Sequence, residues 1–156
     1  MKLDIGAADT LELGWTSWDA RDGKYAEDIT LGDSTVEEIR AVHVLEHIGY
    51  EHTQATLIEW HRVLQDQGRL FVSVPDFELI IGNMTSAQAD PRCERYIMGG
   101  HIDQHDFHKA LFWFDKLSKI LEACGFVDVK QVNAEGANTS NHWCSLNVEA
   151  WRRDDR

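Results

Sequence analysis

The chain has 156 residues, 43% of them hydrophobic, which suits one domain spanning residues 1–156 and burying about 70% of the surface its unfolded chain exposes. Fifteen Lys and Arg stand against 27 Asp and Glu, and the resulting formal charge of -12 repels polyanions at long range, so generic nucleic-acid binding is not expected. Cys93, Cys124 and Cys144 are odd in number and lack Cys-x-x-Cys spacing, which argues against a disulfide framework or a thiolate zinc site and suits a reducing cytoplasm.

The N-terminal Met-Lys-Leu-Asp-Ile-Gly passes straight into patterned sequence, and the longest apolar run, Ala110 to Phe114, is far too short to span a bilayer. Neither export nor membrane insertion is expected. Leu3 to Ile5 reads as a short strand ending at Gly6, Trp15 to Trp18 as a second, and Tyr25 to Ile29 as a weaker third. Thr35-x-x-Glu38 has capping-box spacing, and Ile39 to Leu45 is a nearly continuous apolar run of the kind that fills a buried parallel strand. Leu57, Ile58, Trp60 and Leu64 predict a helix over 52–64, followed by a turn at Gly68 and a buried strand, Leu70 to Val74, that Pro75 ends. Residues 77–106 read as irregular, with a short helix around Pro91 to Met98, and are long enough for a functional insertion or lid. Phe114, Leu117, Leu121 and Cys124 share one helical face that stops at Gly125; Phe126 to Val132 and Leu146 to Trp151 supply the last two strands.

Alternating strands and helices predict an α/β fold, a mostly parallel sheet flanked by helices, whose ligands bind beyond the carboxyl ends of the strands. The positions to watch are therefore Gly6 to Asp9, Asp19, Asp28, His43 to His47, and Pro75 to Asp76.

In order, Leu3-Asp4-Ile5-Gly6-Ala7-Ala8-Asp9, Gly14-Trp15 followed by Asp19, His43-Val44-Leu45-Glu46-His47 and Val74-Pro75-Asp76 resemble the small class I S-adenosylmethionine-dependent methyltransferases of the methyltransferase type 11 group. Gly68-Arg69-Leu70, Asp106-Phe107-His108 and Ala123-Cys124-Gly125-Phe126 extend the resemblance through most of the chain. It implies a Rossmann-like sheet with an antiparallel strand near the C-terminus, a cytoplasmic enzyme, and S-adenosylmethionine as cofactor. The matching cofactor positions are Asp4, Gly6, Ala7, Ala8, Asp19, Asp28, Ile29 and His43. Gly6 would let backbone approach the methionine part. Asp19 would accept from both ribose hydroxyls. Asp28 would meet the adenine amino group while Ile29 packs on the ring; Asp28 also reads as a solvated loop carboxylate.

Ala8 stands where the family pattern has a second glycine. The step of 13 residues from Gly6 to Asp19 leaves little room for a first helix and disfavours NAD, whose fold expects about 20 and a third glycine. The family's preceding helix has no counterpart, so the site is expected to be open or covered by a partner subunit or a second copy. On the acceptor side the resemblance implies His43, Glu46, His47 and Asp76, with His108 in the late loop, a histidine serving as base if the acceptor must lose a proton. Residue by residue, the Leu45-Glu46-His47 turn reads more simply as a packing element under the sheet edge.

Three functions remain open: methyl transfer to a small-molecule or carbohydrate-like acceptor, a non-catalytic or cofactor-weak helper protein, and a histidine-liganded metal protein. For the last, His43, His47 and His52, or His101, His105 and His108, have suggestive spacings, with Asp106 or Glu46 completing a set. Scattered, hydrogen-bonded histidines account for the same pattern, and no metal is assigned.

Overall fold

The structure, a computed structural model, describes residues 1–7, 12–134 and 141–154. Six strands form one sheet: β1 (Lys2–Ile5), β2 (Trp15–Trp18), β3 (Val36–Val42), β4 (Leu64–Pro75), β5 (Phe126–Gln131) and β6 (Ser145–Arg152). Their order is β2-β1-β3-β4-β6-β5. The first four run parallel, and β6 runs antiparallel to both β4 and β5. The α/β class, the mostly parallel sheet and the antiparallel strand near the C-terminus are as expected.

Helices α1 (Thr53–Val63) and α4 (Phe114–Ala123) pack on an apolar face of this sheet, while α2 (Phe77–Met84) and α3 (Cys93–Met98) lie between β4 and the late loop. Leu57, Trp60 and Val63 of α1 and Leu117 and Leu121 of α4 share one core with Leu3, Ile39, Leu70, Val72, Leu146 and Val148. Burying each large aliphatic side chain contributes about 1.5–3 kcal/mol. At the end of α4, Gly125 takes the left-handed conformation (φ +94°) that closes the helix. Among the described residues no helix is long and apolar enough to cross a membrane.

Three expectations fail for identifiable reasons. Residues 25–29 form no strand, because side chains take up their backbone carbonyls: Trp18 Nε1 donates to Tyr25 O (2.9 Å), Trp60 Nε1 to Ala26 O (2.8 Å) and Arg62 to Ile29 O (2.9 Å). Thr35 begins no helix; its hydroxyl donates to Gly32 O (2.8 Å), and Glu38 sits within β3. The segment 77–106 is less irregular than its sequence suggests, since α2 starts where Asp76 Oδ1 accepts from Glu78 N and Leu79 N. Leu79, Ile81 and Met84 of that helix are exposed, so no apolar stripe marks it.

Alternate residues of the strands make up a second, polar face. Lys2, Glu38 and Arg69 lie side by side across β1, β3 and β4, and Glu149 and Lys130 continue the row through β6 and β5. Lys2 reaches Glu38 at 2.6 Å, Glu38 pairs with Arg69, Arg69 meets Glu149 at 3.1 Å, and Lys130 meets Glu149 at 2.9 Å. Two residues further along, buried Arg40 pairs with buried Asp4, meets Glu12 at 3.1 Å, and stacks over Trp15 at 4.2 Å.

Candidate functional site

The carboxyl ends of β1 to β4 open onto two adjoining cavities. Gly6, directly after β1, has φ +69°, a conformation glycine adopts without strain, and its N–H donates to Trp18 O (2.9 Å). A Cβ at this position would overlap Val44 Cγ2, so the turn needs glycine for space as well as for conformation. After β3, His43 also takes a left-handed conformation (φ +54°), uncommon for a residue with a side chain, and its N–H donates to Ser73 O (2.9 Å).

The first cavity, about 210 Å³, is lined by Gly6, Asp19, Tyr25, Glu27, His43 and His47 among others. Asp19 is nearly buried and caps the turn Ala20–Asp22, its carboxylate accepting from Arg21 N (2.9 Å), Nε (3.0 Å) and Nη2 (3.3 Å). That pairing fixes the carboxylate at the mouth of the cleft and matches its charge.

The second cavity, about 410 Å³, is lined by Glu46, Tyr96, His108, His142 and Cys144, and His43 and His47 form the wall it shares with the first. His43 Nδ1 lies 3.0 Å from Glu46 Oε1, and its Nε2 lies 3.3 Å from Ser145 Oγ. Glu46 belongs to the tight turn Leu45–His47; Leu45 enters the core, and Glu46 O accepts from Lys109 N (2.7 Å) and Ala110 N (3.2 Å). The turn is thus a packing element and a cavity wall together. His47 Nδ1 faces Phe107 O (3.2 Å), His108 Nδ1 faces Tyr96 O (3.0 Å), and the two rings meet edge to face at 4.8 Å. Burial holds the His108 imidazole below its ordinary pKa and lifts the Cys144 thiol to about 11, so a neutral imidazole and a neutral thiol line this space near pH 7.

Gly6, Asp19, His43, His47 and His108, expected from the sequence, are brought together here. Four other expected residues stand elsewhere. Asp4 faces the polar side of the sheet, paired with Arg40, and burial raises its carboxyl above the usual range. Asp28 is exposed, its N–H turned back to Tyr25 O, and Ile29 is 1% exposed inside the main core, so neither lines the cleft; Ala26 and Glu27 do. Asp76 spends its carboxylate on the N-terminus of α2. Ala7 is buried beside Gly6, while Ala8 lies outside the described residues. The histidine groupings read from spacing do not assemble either: His52 is exposed beside Glu51, and His101 stacks on Phe107 at 4.1 Å.

Glu27, Tyr96, His142 and Cys144 were missed. The first lay in the supposed third strand, and the others reach the site through folding of distant segments that no local pattern records. All three cysteines are free and buried.

No family model matches the sequence, and no curated protein matches it. Solved structures do share its fold. A SAM-dependent methyltransferase from Archaeoglobus fulgidus superposes with a TM-score of 0.64 at 15% identity, covering 97% of this chain and 85% of that one. The Burkholderia thailandensis 1,6-didemethyltoxoflavin-N1-methyltransferase, solved with bound 1,6-didemethyltoxoflavin and S-adenosylhomocysteine, gives 0.63 at 17% identity over 98% of this chain and 71% of that one. A Haloferax volcanii complex between the Trm112 methyltransferase activator and a proposed methyltransferase gives 0.64 at 11% identity, over 99% and 82%. The chain spans only 48% of a further match, the CurJ carbon methyltransferase.

Proposed function

We propose that this chain, which has the class I fold of S-adenosylmethionine-dependent methyltransferases, binds S-adenosylmethionine in the first cavity and methylates a small-molecule or carbohydrate-like acceptor held in the second. The observation that carries this reading is the pair of adjoining cavities at the carboxyl edge of the sheet, divided by His43 and His47. Gly6 lines this cavity with backbone alone, which suits close approach by the cofactor's methionine part. When bound, the cofactor supplies a methyl group activated on a sulfonium.

This chain's contribution is to position and to shield. Asp19 receives the ribose hydroxyls on a carboxylate it shares with Arg21. Tyr25, Ala26 and Glu27 replace Asp28 and Ile29 at the adenine end. The acceptor would take that methyl group directly, so how His43 and His47 align it across the dividing wall would set the rate. His43, oriented by Glu46, takes the proton if the acceptor carries one, and Ser145 faces its other nitrogen. The free cysteines support a reducing compartment such as the cytoplasm.

A second reading, a cofactor-weak protein that works through a partner subunit or a second copy, draws support from Arg21 occupying Asp19 and from the Haloferax neighbour's activator. Calorimetric titration with S-adenosylmethionine and S-adenosylhomocysteine separates the two. Micromolar binding, lost at least tenfold in Asp19→Ala (about 1.4 kcal/mol), is the expected result. No binding by the wild-type protein at millimolar cofactor overturns the stand-alone enzyme and favours the partner-dependent reading.

A further inference from the structure

We propose that Glu46, His47 and His108 form a binding site for a divalent first-row transition-metal ion at the floor of the second cavity. One donor atom from each of the three lies within 4.8 Å of the others, and all three side chains line that cavity.

The hydrogen bonding around them is that of a ligand set. His47 Nδ1 and His108 Nδ1 both face backbone carbonyls, of Phe107 and Tyr96. A carbonyl only accepts, so each ring carries its proton on Nδ1 and presents the lone pair of Nε2. Backbone carbonyls hold metal-binding imidazoles in this tautomer and orientation. The Glu46 side chain is 1% exposed; Oε1 is held by His43 Nδ1 at 3.0 Å, and Oε2 is buried without a hydrogen-bond partner among the described residues. A buried carboxylate oxygen with no donor is costly, and a cation beside it removes that cost. His43 then acts one step out, fixing the carboxylate.

The sequence separates these groups by 62 residues, from Glu46 to His108, and the fold brings them together. A tetrahedral ion with bonds of about 2.0–2.1 Å needs donors about 3.3 Å apart, so on binding the three groups close in from their present separation of up to 4.8 Å. Two imidazoles and one carboxylate suit Zn²⁺, Co²⁺, Mn²⁺ or Fe²⁺ better than Mg²⁺ or Ca²⁺, which favour all-oxygen shells. Three protein ligands leave a coordination position for the contents of the cavity, whose lining also includes Tyr96, His142 and Cys144. On the methyl-transfer reading, and only on it, that position holds an oxygen of the acceptor beside the dividing wall. Ion binding itself does not depend on that reading.

The test is titration of chelator-stripped full-length protein with ZnCl₂ by calorimetry and with CoCl₂ by visible spectroscopy. One equivalent with submicromolar affinity is expected, lowered at least tenfold by His108→Ala and by Glu46→Gln and unchanged by His101→Ala, a histidine outside the cluster. Far-UV circular dichroism in chelator verifies that each variant is folded. In the wild-type protein, which needs no variant to fold, Zn²⁺ should move the ring nitrogen resonances of His47 and His108. Absence of stoichiometric binding, affinity unchanged in both variants, or nitrogen shifts confined to other histidines overturns the site. Cofactor titration of the same metal-free protein keeps the readings apart: lost zinc binding with cofactor binding intact removes only this site, and the reverse removes only the methyl-transfer reading.

Discussion

The two faces of the sheet solve the same problem with opposite chemistry. On one face, Leu70, Val72, Leu146 and Val148 meet Trp60, Leu117 and Leu121 of α1 and α4, and the core closes by removing hydrocarbon from water. On the other face, buried Asp4 and Arg40 satisfy each other, and Lys2, Glu38, Arg69, Glu149 and Lys130 form a row of alternating charge across five strands. Apolar burial stabilises by area and tolerates varied shapes. The charged row specifies strand register, because slipping any strand by one residue would bring its ions to the wrong face. Its net stabilisation is smaller, since each buried charge first loses hydration.

Breaking the apolar face should have the largest effect. Trp60→Ala removes a fully buried indole and its hydrogen bond to Ala26 O, and a loss of about 4 kcal/mol is expected from urea unfolding. A loss below about 1 kcal/mol would mean that this face closes over the gap. On the polar face, Arg40→Met strands the Asp4 carboxylate and should cost about 3 kcal/mol, of which the double variant Asp4→Leu/Arg40→Met recovers most. If the double variant is no more stable than the single one, the pair does more than neutralise itself.

The smallest effect tests where the two chemistries meet. His61, on α1, packs edge to face on Phe126 at 5.0 Å, with Gly125, Arg152 and Asp154 as its other neighbours. Burial and the Arg152 charge hold its imidazole below the ordinary value of 6.5. The unfolded chain therefore takes up this proton before the folded one does. Stability should fall as pH drops below about 6.5 and level off under the depressed folded value. His61→Gln should flatten that slope, measured as urea midpoints between about pH 7.5 and 5; an unchanged slope would assign it to other histidines.

The central strands, α1, α4 and the last two strands were legible because periodic or continuous apolar runs with clear stops record what is buried. The third strand was misread because residues 25–29 are strand-like in composition, whereas their carbonyls go to Trp18, Trp60 and Arg62, contacts set by tertiary structure. Helix α2 escaped because Leu79, Ile80 and Ile81 present apolar surface around the helix instead of along one stripe. In the site, Gly6 and Asp19 were legible as strand-end residues with defined chemistry. Asp28 and Ile29 were placed by resemblance in a segment that takes a different path, and Asp76 reads as acidic at a strand end whether it caps a helix or faces a ligand.

His43 and His47 belong to both cavities at once, a party wall between two rooms. A ligand that turns either ring to suit itself alters the room next door. Linkage makes the influence mutual: whatever factor the occupant of one chamber contributes to affinity in the other is returned unchanged. Order of arrival therefore leaves the final ternary affinity untouched and alters only the route by which it is reached.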